Sequence, residues 1–458
     1  MPIDGYGPSG PGHLPGLNVA SRSRQPWLAR LSTIFVASAL WMGVAWPAAA
    51  QGTNDEHWVS TWGPSMIARG VPGGRGQAPP QPAPGRGRGG APPFTFNNQT
   101  LRQVARVTIG GARVRVLISN TFGTAPLRVG AARAALRACA ESACAGAGGA
   151  AIETPAVPLT VSGRAAFTIP AGAALLTDPV DLKIPDRSDV VVDLYLPEDW
   201  SANTVPLTFH PVSLQTTYVS TPGNFAGARE LPVDATPANW FFLSRIEVIA
   251  PRDTRVIVAL GDSITDGAQS TIGANRRWTD VLARRLHAEP DGRPAAVINA
   301  GISGNRLLTD GSGVSALARF DRDVLAQPGL THLILFEGIN DIGLARASAT
   351  PTVEDLIMAQ RQLIARARAR GVRVLGATLA PIEGAFYFTP EGESKRQAFN
   401  AWIRTSGEFD GVIDFDRITR DPDRPTWLLP ANDSGDHLHP GDAGYAAMGS
   451  GIDLALFR

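Results

Sequence analysis

From Thr254 to the C-terminus, short aliphatic runs alternate with stretches of helical period. "TRVIVAL", "AAVINAG", "HLILFEG", "VRVLGATL" and "GVIDF" read as five strands with almost no polar interruption. Between them, "RWTDVLARRLHA", "TVEDLIMAQRQLIARARARG" and "EGESKRQAFNAWIRTSG" read as helices, and "PGDAGYAAMGSGIDLALF" closes the chain with another. The middle helix has a Thr352 cap and a Gly371 stop. A strand with no polar face leaves no side for water. Five such strands joined by helices therefore demand a parallel sheet covered on both faces, over residues 251–458. Ligands of such sheets sit at the carboxyl ends of the strands.

Residues 94–250 have a different period. "RVTIGGARVRVLIS" places Val107 and Ile109 before a Gly110-Gly111 turn and Val114, Val116 and Ile118 after it, a hairpin pattern. "DVVVDLYLP" alternates, with Val190, Val192, Leu194 and Leu196 on one face, and "WFFLSRIEVIAP" reads as another strand. No helical pattern interrupts them, so this region is expected to be a β-sandwich of jelly-roll type. Residues 51–93 hold one strand pattern, "HWVSTWGPS", followed by a proline- and glycine-dominated run from Gly70 to Pro93 that reads as a disordered linker. A length of 458 residues accommodates these parts as two or three domains.

The first 50 residues stand apart. Arg22, Arg24 and Arg30 precede the apolar "LSTIFVASALWMGVAW", and "PAAAQG" supplies small residues for cleavage after Ala50. That order is a secretory signal, and it predicts a secreted or periplasmic protein with no stable membrane insertion after cleavage. The competing reading is an uncleaved anchor, since Leu31 to Ala50 nearly reaches the ~20 residues of a span. Outside the cytosol, Cys139 and Cys144, the only cysteines, are expected to form a small local disulfide, with two free thiols as the alternative. A formal charge of +1 offers no surface for nucleic acid. No metal-ligand spacing and no phosphate loop are present, so no metal or organic cofactor is expected. Oligomeric state leaves no mark on the sequence.

The first strand of the C-terminal part ends abruptly in "VIVALGDSITDG". Gly, Asp and Ser are ordinary turn residues. They also suit a serine nucleophile presented at a strand end, which needs a histidine, an orienting acid and donors for an oxyanion. "SGDHLHPGDAGY" offers Asp436, His437 and His439 just before the last helix. Asp436 and His439, three residues apart, can turn to one side. Asp436 then accepts from His439 Nδ1 and leaves Nε2 for Ser263, with His437 as the competitor. Gly304 in "NAGISGNRL" and Asn340 in "FEGIND" lie after the second and third strands. With the Ser263 N–H they supply three donors.

Gly261-Asp262-Ser263, "GISGN", "EGIND" and "DHLHP" together resemble the four blocks of the SGNH/GDSL hydrolases. The segment "TLRQVARVTIGGARVRVLISNTFGTAPL" also looks like the β-rich leader of some secreted members. The resemblance implies a flavodoxin-like α/β/α domain and hydrolysis of carboxylic esters through an acyl-serine. It implies Ser263, Asp436 and His439 as catalytic residues, and Ser263, Gly304 and Asn340 as the oxyanion hole. Export and the appended β region suggest acetyl or aryl esters linked to polysaccharide. The alternatives are a lipolytic enzyme and, in another class, a carbohydrate-binding protein with an inert hydrolase domain. Trp278, Phe386, Tyr387 and Phe388 are candidates to line the substrate pocket, or to pack in the core. His210 reads as a buried structural histidine, Asp262 and Asp266 as turn makers, and Asn305, Glu337 and Asp341 as supporting groups.

Overall fold

The five aliphatic runs do form a parallel sheet. In this computed structural model its strands are Arg255–Gly261, Ala295–Gly301, Leu330–Phe336, Arg373–Ala377 and Gly411–Ile413. The spatial order is second, first, third, fourth, fifth, and every neighbouring pair is parallel. Val256 to Leu260 are all fully buried. Burying each large aliphatic side chain contributes about 1.5–3 kcal/mol, which accounts for the absence of polar residues here. The helices gather in two groups. Trp278–His287 packs with Asp442–Gly451, and Val353–Arg368 packs with Pro390–Thr405. Thr352 caps Val353–Arg368 by accepting from the Asp355 N–H at 3.1 Å, with Asp355 bonding back to the Thr352 N–H.

The order has a functional consequence. The chain leaves the first strand toward one edge and later returns to the other side of it. The carboxyl end of Arg255–Gly261 is therefore the switch point of the sheet, where crossovers diverge and a crevice opens.

The structure describes residues 56–69, 95–138, 147–153, 155–200, 206–290, 292–344 and 350–458. The leader, the Gly70–Pro93 run and the Cys139/Cys144 pair lie outside them. Among the described residues, no helix is long and apolar enough to cross a membrane.

The β region is antiparallel throughout its larger sheets. Asn97–Arg106 pairs with Asp189–Asp199, which pairs with Ala131–Leu136. Gly111–Ser119 pairs with Leu243–Ile249 in a second sheet. Val190, Val192, Leu194 and Leu196 share the main core with Val114, Val116 and Ile118, while Val191 on the opposite face packs with Tyr218 and Ile152. The strand Trp58–Trp62, which precedes the proline-rich run, pairs with Leu243–Ile249 and so belongs to this sandwich. Asp55–Arg458 make one compact unit. The seam between its halves is bonded: Thr108 Oγ1 accepts from the Val297 N–H at 3.1 Å, and Ser60 Oγ donates to Gln327 at 2.7 Å.

Candidate active site

The first strand stops at Gly261 because nothing larger fits. A Cβ there would stand 2.6 Å from the Phe336 carbonyl oxygen and 2.2 Å from Thr265 Oγ1. Asp262 then leaves the strand and caps the one-turn helix Ser263–Asp266, accepting from the Ile264 N–H at 2.9 Å. Asp262 is 1% exposed. Burial pushes its carboxyl up to about 7, against the Ile264 hydrogen bond and with help from the charges of Asp341 and Asp266. Ser263 follows, 7% exposed.

The terminal loop brings the base. His439 Nε2 lies 2.8 Å from Ser263 Oγ, and its Nδ1 lies 2.7 Å from Asp436 Oδ2. Asp436 Oδ1 also accepts from the His439 and Leu438 N–H groups at 2.8 and 3.0 Å. Gln269 donates to Oδ2 at 3.2 Å. Burial works to raise the Asp436 carboxyl, but the hydrogen bond and charge of His439 outweigh it and hold it below the ordinary carboxylate range. His437 goes elsewhere. Its backbone is left-handed (φ 59°), its Nδ1 faces Asp433 at 2.6 Å, and its ring meets Trp427 edge-on.

Two further loops close around Ser263. The turn Ile302–Asn305 is tied to the nucleophile strand by the Ile302 N–H, which donates to the Gly261 carbonyl at 3.0 Å. Asn305 closes the turn on Ile302 at 3.0 Å, and Gly304 occupies it with φ 76°, where a side chain would be strained and its Cβ would press Ser312. Asn340, in the helix Ile339–Gly343, donates from Nδ2 to the Asn305 carbonyl at 3.0 Å. Asp341 beside it accepts from the Leu307 and Leu308 N–H groups, while burial raises its carboxyl to about 6. One amide hydrogen of Asn340 is thus spent on the turn, and the other has no partner among the described residues. The N–H groups of Ser263 and Gly304 make no hydrogen bond among the described residues. A serine hydroxyl, a histidine held by a carboxylate, and uncommitted N–H donors on adjoining loops together match what acyl transfer demands.

Residues 259–447 match the model of the GDSL-like Lipase/Acylhydrolase family. The chain carries a GDSL-like acylhydrolase domain. It is a carboxylic ester hydrolase. Comparison with curated proteins finds no match. Among solved structures, the chain is similar to a GDSL-like lipase from Bacteroides thetaiotaomicron VPI-5482, at 19% identity over 45% of this chain and 88% of that one, with a TM-score of 0.33. It is similar to an M. smegmatis aryl esterase, at 17% identity, 43% and 95% coverage and a TM-score of 0.35. It also resembles a carbohydrate acetylesterase from Sinorhizobium meliloti, at 16% identity, 43% and 94% coverage and a TM-score of 0.34.

Within the GDSL-like domain, the aromatic candidates divide. Trp278 is fully buried, packed edge-on against Phe415 in the core. It opens the helix Trp278–His287, and the apolar stripe of that helix carries it inward. Phe386 is 66% exposed. Tyr387 lies across Gly343, in the helix of Asn340, where an added Cβ would meet its ring at 2.3 Å. At Gly384, before them, an added Cβ would meet the rings of Trp427 and His437 at 2.7 and 2.9 Å. The "GAFYF" loop therefore runs between the terminal loop and the Asn340 helix. Phe388 is half-buried against the core.

One supporting group escapes sequence reasoning. Arg319, fully buried, donates to the Gly261 and Ala300 carbonyls, to Asn305 Oδ1 and to Ser65 Oγ, all within 3.0 Å. It fastens the ends of two strands and the Gly304 turn to one guanidinium. Glu337 lies 3.8 Å from Arg319, neither of its carboxyl oxygens has a hydrogen-bond partner among the described residues, and burial raises its carboxyl well above the ordinary range. No motif marks Arg319, whereas Glu337 is among the expected supporting groups. No cluster of three or more potential metal ligands occurs among the described residues.

Proposed function

We propose that this ester hydrolase works through an acyl-serine on Ser263 and removes acetyl or aryl groups from esters linked to polysaccharide or its fragments. The observation that carries the mechanism is the unbroken chain from Ser263 Oγ to His439 to Asp436, at 2.8 and 2.7 Å. Ser263 Oγ attacks the ester carbonyl as its proton moves to His439 Nε2. Asp436 steadies the imidazolium, and the N–H groups of Ser263, Gly304 and Asn340 receive the charge that gathers on the carbonyl oxygen. The carbon–oxygen bond to the alcohol breaks, and the alcohol departs with the proton from His439. Water then attacks the acyl-serine with its proton drawn off by His439, and that proton returns to Ser263 Oγ as the acid leaves.

The substrate class draws its support from the rim. Phe386 offers an exposed ring beside the site, and aromatic faces suit flat aryl groups and the apolar faces of sugars. The Tyr387 hydroxyl is buried with no partner among the described residues, so it has a hydrogen bond to give a substrate oxygen. The basic, apolar and small-residue blocks of residues 22–50 support export, which suits a polymeric substrate outside the cell.

Turnover of a chromogenic acetate ester by the wild type and by Ser263→Ala tests the mechanism. Equal rates would reject it and favour an inert domain. A panel of acetylated xylan, feruloyl esters and lysophospholipid tests the substrate: preference for lysophospholipid would replace the polysaccharide reading with a lipolytic one.

A further inference from the structure

Behind the nucleophile turn, the β region reaches the hydrolase domain with a histidine. His210 ends the strand Leu207–His210 and is 2% exposed. Its Nε2 lies 2.9 Å from Asp266 Oδ1, and its Nδ1 lies 2.8 Å from the Ser65 carbonyl oxygen. A carbonyl oxygen only accepts, and an ionised carboxylate only accepts. A ring with both nitrogens facing acceptors holds a hydrogen on each, which is the imidazolium form. Burial disfavours that charge, yet Asp266 and the Ser65 carbonyl more than compensate and raise the histidine above its ordinary value, with Arg277 opposing.

Asp266 carries the contact onward. Its Oδ2 accepts from the Ser303 N–H at 3.0 Å and from the Ser303 hydroxyl at 2.7 Å. Ser303 directly precedes Gly304. Asp266 also ends the one-turn helix that begins with Ser263, its N–H donating to the Asp262 carbonyl at 2.8 Å. One carboxylate thus ties the turn of the nucleophile to the turn of the proposed oxyanion donor, and His210 holds that carboxylate from behind. Trp240 lies 5.5 Å from the His210 ring and keeps it in place. The charged groups facing the ring are Asp266 and Arg277. Arg106 and Asp280 line the same small cavity, and Arg277 donates to the Asp266 carbonyl and to Asp280.

We propose that His210 is a positioning residue for ester hydrolysis: as an imidazolium it fixes Asp266, and through it the Ser303–Gly304 peptide, so the β region sets the geometry of the oxyanion hole. This rests on the reading of Ser263 and Gly304 given above. A donor displaced from a developing oxyanion loses strength in the transition state and little in the ground state. The signature is therefore a fall in kcat at nearly constant KM.

The test compares the full chain with His210→Phe, which keeps the ring volume without a donor, and His210→Gln, whose amide can still donate to Asp266. Ser263→Ala serves as reference on the same chromogenic acetate. In His210→Phe, kcat is expected to fall about tenfold to a hundredfold with KM within about twofold, and His210→Gln to recover much of the loss. In protein with ring-15N histidine, one imidazole at pH 7 is expected to carry hydrogens on both nitrogens, and its signals to vanish in His210→Gln. If His210→Phe does not fold, His210→Gln and the spectrum still decide: a neutral wild-type ring at pH 7 overturns the proposal. So does unchanged kcat in a folded His210→Phe while Ser263→Ala is inactive. If Ser263→Ala matches the wild type, the catalytic reading fails first and this one falls with it.

Discussion

Two histidine–aspartate pairs flank the nucleophile turn, one in the terminal loop and one in the buried seam with the β region. His439 and Asp436 are three residues apart, 2.7 Å apart in space, with side chains 17% and 34% exposed. His210 and Asp266 are 2.9 Å apart, with side chains 2% and 4% exposed. Pairing with a carboxylate does not distinguish them. The second ring nitrogen does. That of His439 meets a serine hydroxyl, which can give a proton or accept one. That of His210 meets a carbonyl, which can only accept. The first ring can pass between charge states during a reaction, whereas the second is held in one. A third pair, His437 with Asp433, lies two residues from the base and holds only its own loop, where Asp433 also accepts from the Gly435 and His437 N–H groups at 2.9 and 3.1 Å.

The largest effect that would break this contrast is on the hydroxyl itself. Ser263→Ala is expected to lower kcat on the order of 10⁴- to 10⁶-fold, measured on a chromogenic acetate. The two aspartates of the terminal loop sharpen the contrast. Asp436→Asn removes the charge that steadies the His439 imidazolium and is expected to cost about 10³- to 10⁴-fold in kcat. Asp433→Asn weakens the contact with the half-exposed His437, while its side-chain oxygen can still accept from the Gly435 and His437 N–H groups, and kcat should stay within about threefold. Equal losses from both would mean that the loop acts through its fold and not through His439. Asn340→Ala comes next, at about 10²- to 10³-fold in kcat, with KM little changed if the amide serves the transition state. A parallel rise in KM would instead assign Asn340 to substrate binding.

The difference between the pairs also explains what the sequence showed and what it hid. Asp436 and His439 are neighbours in the chain, so their spacing alone places them on one side of a loop. The strand around Val258 was legible because both its faces are buried and every residue is apolar. His210 and Asp266 are separated by 56 positions and two regions of structure, and a single buried polar contact imposes no period on either segment. Arg319 is hidden for the same reason: its partners, two backbone carbonyls and the side chains of Asn305 and Ser65 among them, are scattered over distant segments and impose no period. Trp58–Trp62 stands before the proline-rich run, and only its pairing with Leu243–Ile249 shows that it belongs to the sandwich. Trp278 shows a local ambiguity, because an aromatic residue at a helix start fits a pocket wall and a core equally well until the packing of the helix is known.

The smallest expected effect concerns stability, and it sets two carboxyls of the same site against each other. Asp262 sits at about 7 in the folded protein, against 3.8 unfolded. Between those values the folded state holds a proton that the unfolded state has lost, so this group's contribution to stability declines as pH rises through the window. Asp436 is shifted the other way. Its contribution is present above the unfolded carboxyl pKa and is lost as pH falls toward its lower folded value. Asp262→Asn removes the first slope and keeps the second, because the Asn side-chain oxygen can still accept from the Ile264 N–H. Urea unfolding of both proteins at pH 5, 6, 7 and 8 measures the difference. Relative to Asp262→Asn, the wild type is expected to lose on the order of 1–3 kcal/mol across that range. Glu337 and Asp341 remain in both proteins, but the Asp262 charge raises Glu337, so the difference reports Asp262 together with its effect on that neighbour. Parallel profiles would mean that Asp262 is charged throughout, so that the site holds a buried anion behind Ser263 as well as the Asp436 carboxylate beside His439.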